Sequence, residues 1–196
     1  MKTSKLLLLF FILTICATSF AQNNVKIGDI YTFDDNTKGI VFYVDDNGHG
    51  LAVSLTQEKV RWENESNFVY CQDIINIPNE KYPYTELNYG LGKHYTAYMI
   101  EQLGENRAPA AKYSRENGID WYLPSAGELN QLINNANKHG DINRILVTNG
   151  YTPLKGSYWT SSESNNGEAW RIKLNGKIKK CSKLATRIHA RAIRMF

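Results

Sequence analysis

Hydrophobic and polar positions alternate toward both ends of the chain and recur at helical spacing in the middle. Residues 25–33 (VKIGDIYTF), 39–44 (GIVFYV) and 49–55 (HGLAVSL) are short runs rich in β-branched and aromatic residues, separated by DDNTK and DDNG. Turn chemistry between such runs predicts strands in a meander. In YTAYMIEQL, Ala97, Ile100 and Leu103 offer a short helical face, and APAAKYSREN begins another helix or turn with Pro109 near its first position. The clearest helix follows DWYLP: Leu129, Leu132, Ile133 and Ala136 recur at i, i+3, i+4 and i+7. Ser125 and Glu128 precede that stripe as a capping box, serine hydroxyl to the Glu128 amide and carboxylate back to the Ser125 amide, so both are predicted to be caps.

Beyond residue 156 the period returns to two. Trp170, Ile172 and Leu174 alternate with Arg171 and Lys173, predicting a strand with one face buried and cations on the other. Asn175-Gly176 stands where a hairpin turn is wanted, and IKKCSK and HARAIRMF would complete the sheet. Between these elements, residues 64–93, with Pro78, Pro83 and scattered tyrosines, read as a long irregular surface excursion within one domain.

The beginning of the chain changes the compartment. Lysines at 2 and 5, the apolar run LLLLFFILTIC and the small residues Ser19 and Ala21 before Gln22 predict a signal peptide over 1–21 and a domain over 22–196. Cys16 offers a competing lipoprotein signal, which the bulky Ile15 before it argues against. The protein is therefore expected to be secreted, periplasmic or on the cell surface, with no transmembrane segment in the mature chain. Cleavage removes two lysines and no acids from a chain of formal charge +4, so overall charge says little about partners. Cys71 and Cys181 remain; they could pair or both be free, and they offer no zinc-ligand spacing.

Local charge says more. Arg171, Lys173, Lys177, Lys179, Lys180, Lys183, Arg187, Arg191 and Arg194 crowd the last third, with Glu168 the only nearby acid. Such clustering attracts anionic glycans or acidic proteins, although a solvated sheet face kept charged against aggregation has the same composition. Nucleic acid is not expected of an exported chain without an aromatic stacking motif there. The hydroxyl run in YWTSSE lacks GxSxG and a sequence-level base, so Thr160 and the serines are expected to satisfy backbone groups. The polar stretch from Glu163 to Glu168 is expected to be a loop. The candidate ligand surface is thus Glu163, Asn165, Asn166 and Glu168 with the outward Arg171, Lys173, Lys177 and Lys179; no catalytic residue, metal or cofactor is expected.

GIVFYVDDNGHGLAV, GLGKHYTAYMI, AAKYSRENGIDWYLPSAGELNQL, YWTSSESNNGEAWRI and RAIRMF together resemble the bacterial secreted domains called Lcl C-terminal-like, related to the Fibrobacter-type major paralogous domain. The resemblance spans nearly the whole mature chain and implies a C-type-lectin-like fold: a single α+β domain with a mixed, mostly antiparallel sheet, two helices, termini brought together in one sheet, and a long irregular loop region. It implies a ligand-binding, adhesin-like role, some members resembling adhesins for acidic polysaccharides. Members often carry a cysteine where this chain has Tyr113, so no disulfide pattern transfers. The calcium-site motifs EPN, QPD and WND of animal C-type lectins are missing, and Cys71 and Cys181 do not match the reactive cysteines of the related formylglycine-generating enzymes. An enzyme related to those, an unrecognised hydrolase, and a structural component of a surface fibre stand as alternatives.

Overall fold

The structure is a computed structural model that describes residues 25–68, 71, 90–139 and 141–196. The expected signal peptide, with Cys16, and most of the excursion at 64–93 lie outside these residues. The described fold is α+β, with no helix long and apolar enough to cross a membrane.

The predicted meander is β1 (Ile30–Thr32), β2 (Lys38–Val44) and β3 (Gly50–Ser54), joined on its far side by β9 (Ile193–Met195) in the order β1-β2-β3-β9. A second sheet holds β4 (Glu58–Lys59), β5 (Ser157–Asn165), β6 (Glu168–Lys173), β7 (Ile178–Ser182) and β8 (His189–Ala190) in the order β4-β8-β5-β6-β7. Two sheets therefore replace the single sheet expected. Their pairing is antiparallel throughout except between β5 and β8.

Helices α1 (Leu91–Leu103), α2 (Pro109–Ser114), α3 (Ala126–His139) and α4 (Asp141–Thr148) also exceed the two expected. Leu129, Leu132, Ile133 and Ala136 are buried as their spacing predicts, and pack with Ile40 and Phe42 of β2 and with Trp170 and Ile172 of β6. Helix α3 thus fills the space between the two sheets. α4 joins the same core through Ile142 and Leu146. On the other face of the second sheet, Trp159 and Ala169 meet Trp62, Tyr95 and Met99 in a second core.

The buried face of α1 is not the one expected. Gly92, Tyr95, Thr96 and Met99 point inward while Ala97, Ile100 and Leu103 are only half-buried. A polar residue can lead the buried stripe because its hydroxyl is satisfied: Thr96 Oγ1 donates to Gly92 O at 2.7 Å and accepts from the Leu123 amide at 3.0 Å.

The capping box forms as drawn, with Ser125 N donating to Glu128 Oε2 at 2.8 Å and Glu128 N to Ser125 Oγ at 3.3 Å. The same carboxylate accepts from Gly90 N at 2.9 Å and Gly92 N at 3.1 Å, so it also caps α1. Any side chain at Gly92 would collide with it. One buried acid therefore fixes the starts of two helices, and burial raises its pKa above the ordinary glutamate range.

Candidate functional site

The candidate residues lie on β5, β6 and β7 and in the turns between them, and a bulge in β5 separates them into two groups. Tyr158 and Trp159 pair in register with Ile172 and Arg171, after which the ladder shifts and resumes at Glu163 opposite Ala169. Across the interruption the side chains of the hydroxyl run replace the missing bonds. Thr160 Oγ1 donates to Trp170 O at 2.9 Å and accepts from Ser162 N at 3.2 Å, while Ser162 Oγ accepts from Ala126 N at the start of α3 at 3.1 Å. The Ser161 amide donates to Pro124 O at 2.8 Å. These serines and the threonine are buried scaffold, with Ser161 Oγ and Ser164 Oγ buried and without a hydrogen-bond partner among the described residues.

The register shift turns Glu163 inward. The expected loop from Glu163 to Glu168 is instead the end of β5, a tight turn at Asn166-Gly167, and the start of β6. Glu163 is fully buried, where a ligand on the surface cannot touch it, and its Oε1 is paired with the equally buried Lys183. Its Oε2 accepts from the Cys71 amide at 3.1 Å. A second buried acid, Glu63, lies 3.4 Å from Lys183 Nζ through Oε2, while its Oε1 is held by Arg107. The Lys183 ammonium sits 4.4 Å from the centre of the Trp62 ring. Burial pushes the Glu163 carboxyl up, and burial beside Glu163 pushes the Cys71 thiol up to about 12. Cys71 and Cys181 are both free.

The turn residues mostly serve the turn. Asn165 donates through Nδ2 to Glu168 Oε2 at 2.7 Å and accepts from Gly167 N at 3.0 Å. Asn166 is exposed beside them.

The four cations do share a face. In the β6–β7 hairpin Arg171 stands directly opposite Lys179, and Lys173 donates its amide to Lys177 O at 2.9 Å across the turn, where Gly176 adopts a φ of 80°. Arg171 and Lys173 are half-buried; Lys177 and Lys179 are exposed. Arg171 Nη1 donates to Ser157 Oγ at 2.8 Å, and none of the four has a carboxylate partner among the described residues. Beside them opens a shallow concavity of about 490 Å³ lined by Ser157, Arg171, Lys173, Cys181, Thr186 and Arg187, with no acid among its lining residues. Arg187 was grouped with the basic cluster in sequence but not with the site, because nothing local shows that the segment after β7 folds back beside Arg171.

No family model matches the chain, and no curated protein does. Among solved structures, a fimbrial protein from Bacteroides ovatus is similar to this chain with a TM-score of 0.57 and 15% identity, covering 87% of this chain and 48% of that one. The chain thus spans about half the length of the structure it matches, and at that identity the likeness is one of fold.

Proposed function

We propose that this protein is an extracytoplasmic binding module of a bacterial surface, a C-type-lectin-like domain without catalytic activity, whose ligand is an anionic chain lying along the outer face of β6 and β7. The observation that carries this reading is the cross-strand arrangement of Arg171 with Lys179 and Lys173 with Lys177, continued by Arg187 around a concavity lined by no carboxylate. Like charges placed directly opposite each other repel, and a partner of opposite sign relieves that repulsion. Exposed charges are screened beyond about 8–10 Å at physiological ionic strength, so such binding weakens with salt. Sulfated and uronic-acid polysaccharides titrated against the mature protein at two salt concentrations test this. Binding that falls with salt and is lost in Arg171→Ala/Lys173→Ala supports the reading; salt-insensitive binding that survives the double variant overturns it.

A second reading, a subunit of a surface fibre, draws on the fimbrial neighbour and on the position of β7, which is the edge strand of its sheet among the described residues. Light scattering of concentrated mature protein separates the two: the binding module stays small without ligand, whereas the fibre subunit assembles.

A further inference from the structure

The cluster around Lys183 holds more than an ion pair requires. Lys183, Glu163 and Glu63 are all fully buried, so amine and carboxyl face each other where bulk water does not compete. Lys183 is pinned from several sides: its amide donates to Gly167 O at 3.0 Å, and its carbonyl accepts from Trp62 N at 2.9 Å and Glu63 N at 3.2 Å. The indole that covers the ammonium is itself fixed, Trp62 Nε1 donating to Thr160 O at 2.9 Å. An amine held against a carboxyl in this way has the proximity on which intramolecular acyl transfer depends.

We propose that Lys183 and Glu163 become joined by an intramolecular isopeptide bond, formed inside the folded domain with Glu63 as the base. Arg107 holds Glu63 Oε1, and Glu63 Oε2 is the second carboxylate oxygen at Lys183 Nζ, placed to take a proton from the ammonium. The freed lone pair attacks Cδ of Glu163, forming the C–N bond. Charge then gathers on Oε2, the oxygen that accepts the Cys71 amide hydrogen, and that N–H acts as an oxyanion donor. The C–Oε1 bond breaks, and Oε1 leaves as water with two protons from the ammonium, one of them by way of Glu63. Ammonium and carboxylate become a neutral amide and one water, so no oxidant or co-reactant is needed.

Two features of the site favour the product. Burial raises the fraction of Glu163 in its neutral form, the form with an electrophilic carbonyl. Condensation also replaces two buried charges, costly to keep from water, with an amide that is not. The bond would tie β5 to the chain just after β7, bridging across β6.

Mass spectrometry of the mature protein, denatured and reduced, tests the proposal. The expected result is a mass lower by one water and, after digestion, a branched peptide joining the segments that carry residues 163 and 183. Reading the linked peptide keeps the assignment separate from cyclisation of an amino-terminal Gln22. Lys183→Arg should restore the full mass, and Glu163→Gln should condense with loss of ammonia instead of water. Glu63→Gln, verified as folded by circular dichroism, should keep the full mass; condensation in that variant overturns the role of Glu63. If a variant does not fold, the wild-type peptide map still decides. Wild-type protein that is folded yet has unlinked peptides overturns the bond itself and leaves Lys183 and Glu163 as an ion pair.

Discussion

The β5–β6–β7 hairpins carry charge at both ends, and the two ends treat it in opposite ways. Near the β5–β6 turn, Glu163 and Lys183 are fully buried, paired, and linked through Glu63 to Arg107. Near the β6–β7 turn, Arg171, Lys173, Lys177 and Lys179 face solvent or a shallow groove without an acid partner among the described residues. Residue type does not separate these fates, since lysine occurs at both ends. The register does: strict alternation keeps the β6–β7 cations outside, whereas the bulge after Trp159 turns Glu163 in. Charge at the first end is structural, and charge at the second is available to a ligand.

The largest expected effect comes from unbalancing the buried end. Glu163→Ala, which leaves Lys183 buried without its Glu163 partner, should cost at least about 3–5 kcal/mol in urea unfolding, as breaking one side of a buried pair does, and loss of the proposed bond would add to it. A loss below about 1 kcal/mol, the range of exposed pairs, would show that water reaches the cluster and would erase the contrast. Truncating Trp159 or Trp170 to alanine should be similarly severe, roughly 3–5 kcal/mol, because each fills a different core on opposite faces of the same sheet.

Next comes the double cap. Ser125→Ala should cost about 1 kcal/mol, the usual loss for a serine cap. Glu128→Ala should cost more, roughly 3 kcal/mol, since it strips acceptors from the starts of both α1 and α3. Equal losses in the two variants would mean that the bonds to Gly90 and Gly92 contribute nothing. Glu128 also gives a pH signature of known sign. Its folded pKa lies above the unfolded one, so its contribution is greatest at low pH and is lost as pH rises through the folded value. Measured against Glu128→Gln, the wild-type advantage should shrink as pH increases above the ordinary glutamate range.

The smallest effect on stability belongs to the exposed end. Lys177→Ala/Lys179→Ala should change unfolding by less than about 0.5 kcal/mol in either direction while weakening polyanion binding. Substantial destabilisation by this variant would make those lysines part of the scaffold and undo the comparison.

Much of this architecture was legible wherever period and burial agree. The meander, the α3 stripe with its capping box, and the Trp170/Ile172 alternation each depend on neighbours within a few residues, and each stands as read. The readings that failed depend on contacts distant in sequence. Glu163 to Glu168 reads as a surface loop because the pairing of Glu163 with Ala169 and of Asn165 with Glu168 is not visible locally. Glu163 finds its partners at Lys183 and Cys71. The face of α1 was misjudged because the burial of Thr96 depends on the backbone at Leu123. Helix α4 was missed although its signal was present: Ile142, Ile145 and Leu146 follow helical spacing after Asp141, a short pattern hidden between a long helix and an irregular connection.

Residues 189–195 pass from the second sheet to the first, and Arg191 sits at the crossing. Its guanidinium donates to Ser54 O at 2.9 and 2.6 Å, to Thr152 O at 2.7 Å and to Gln57 Oε1 at 3.0 Å. Just beyond it, Leu51 pairs with Met195. The opening meander therefore gains its outer strand only from residues near the end of the described chain, and the second sheet gains β8 from the same few residues. In kinetic terms, such distant pairings are costly to close, since loop entropy is lost before the contacts offset it. A ribosome that has released β3 but not β9 holds a meander with one edge still unpaired.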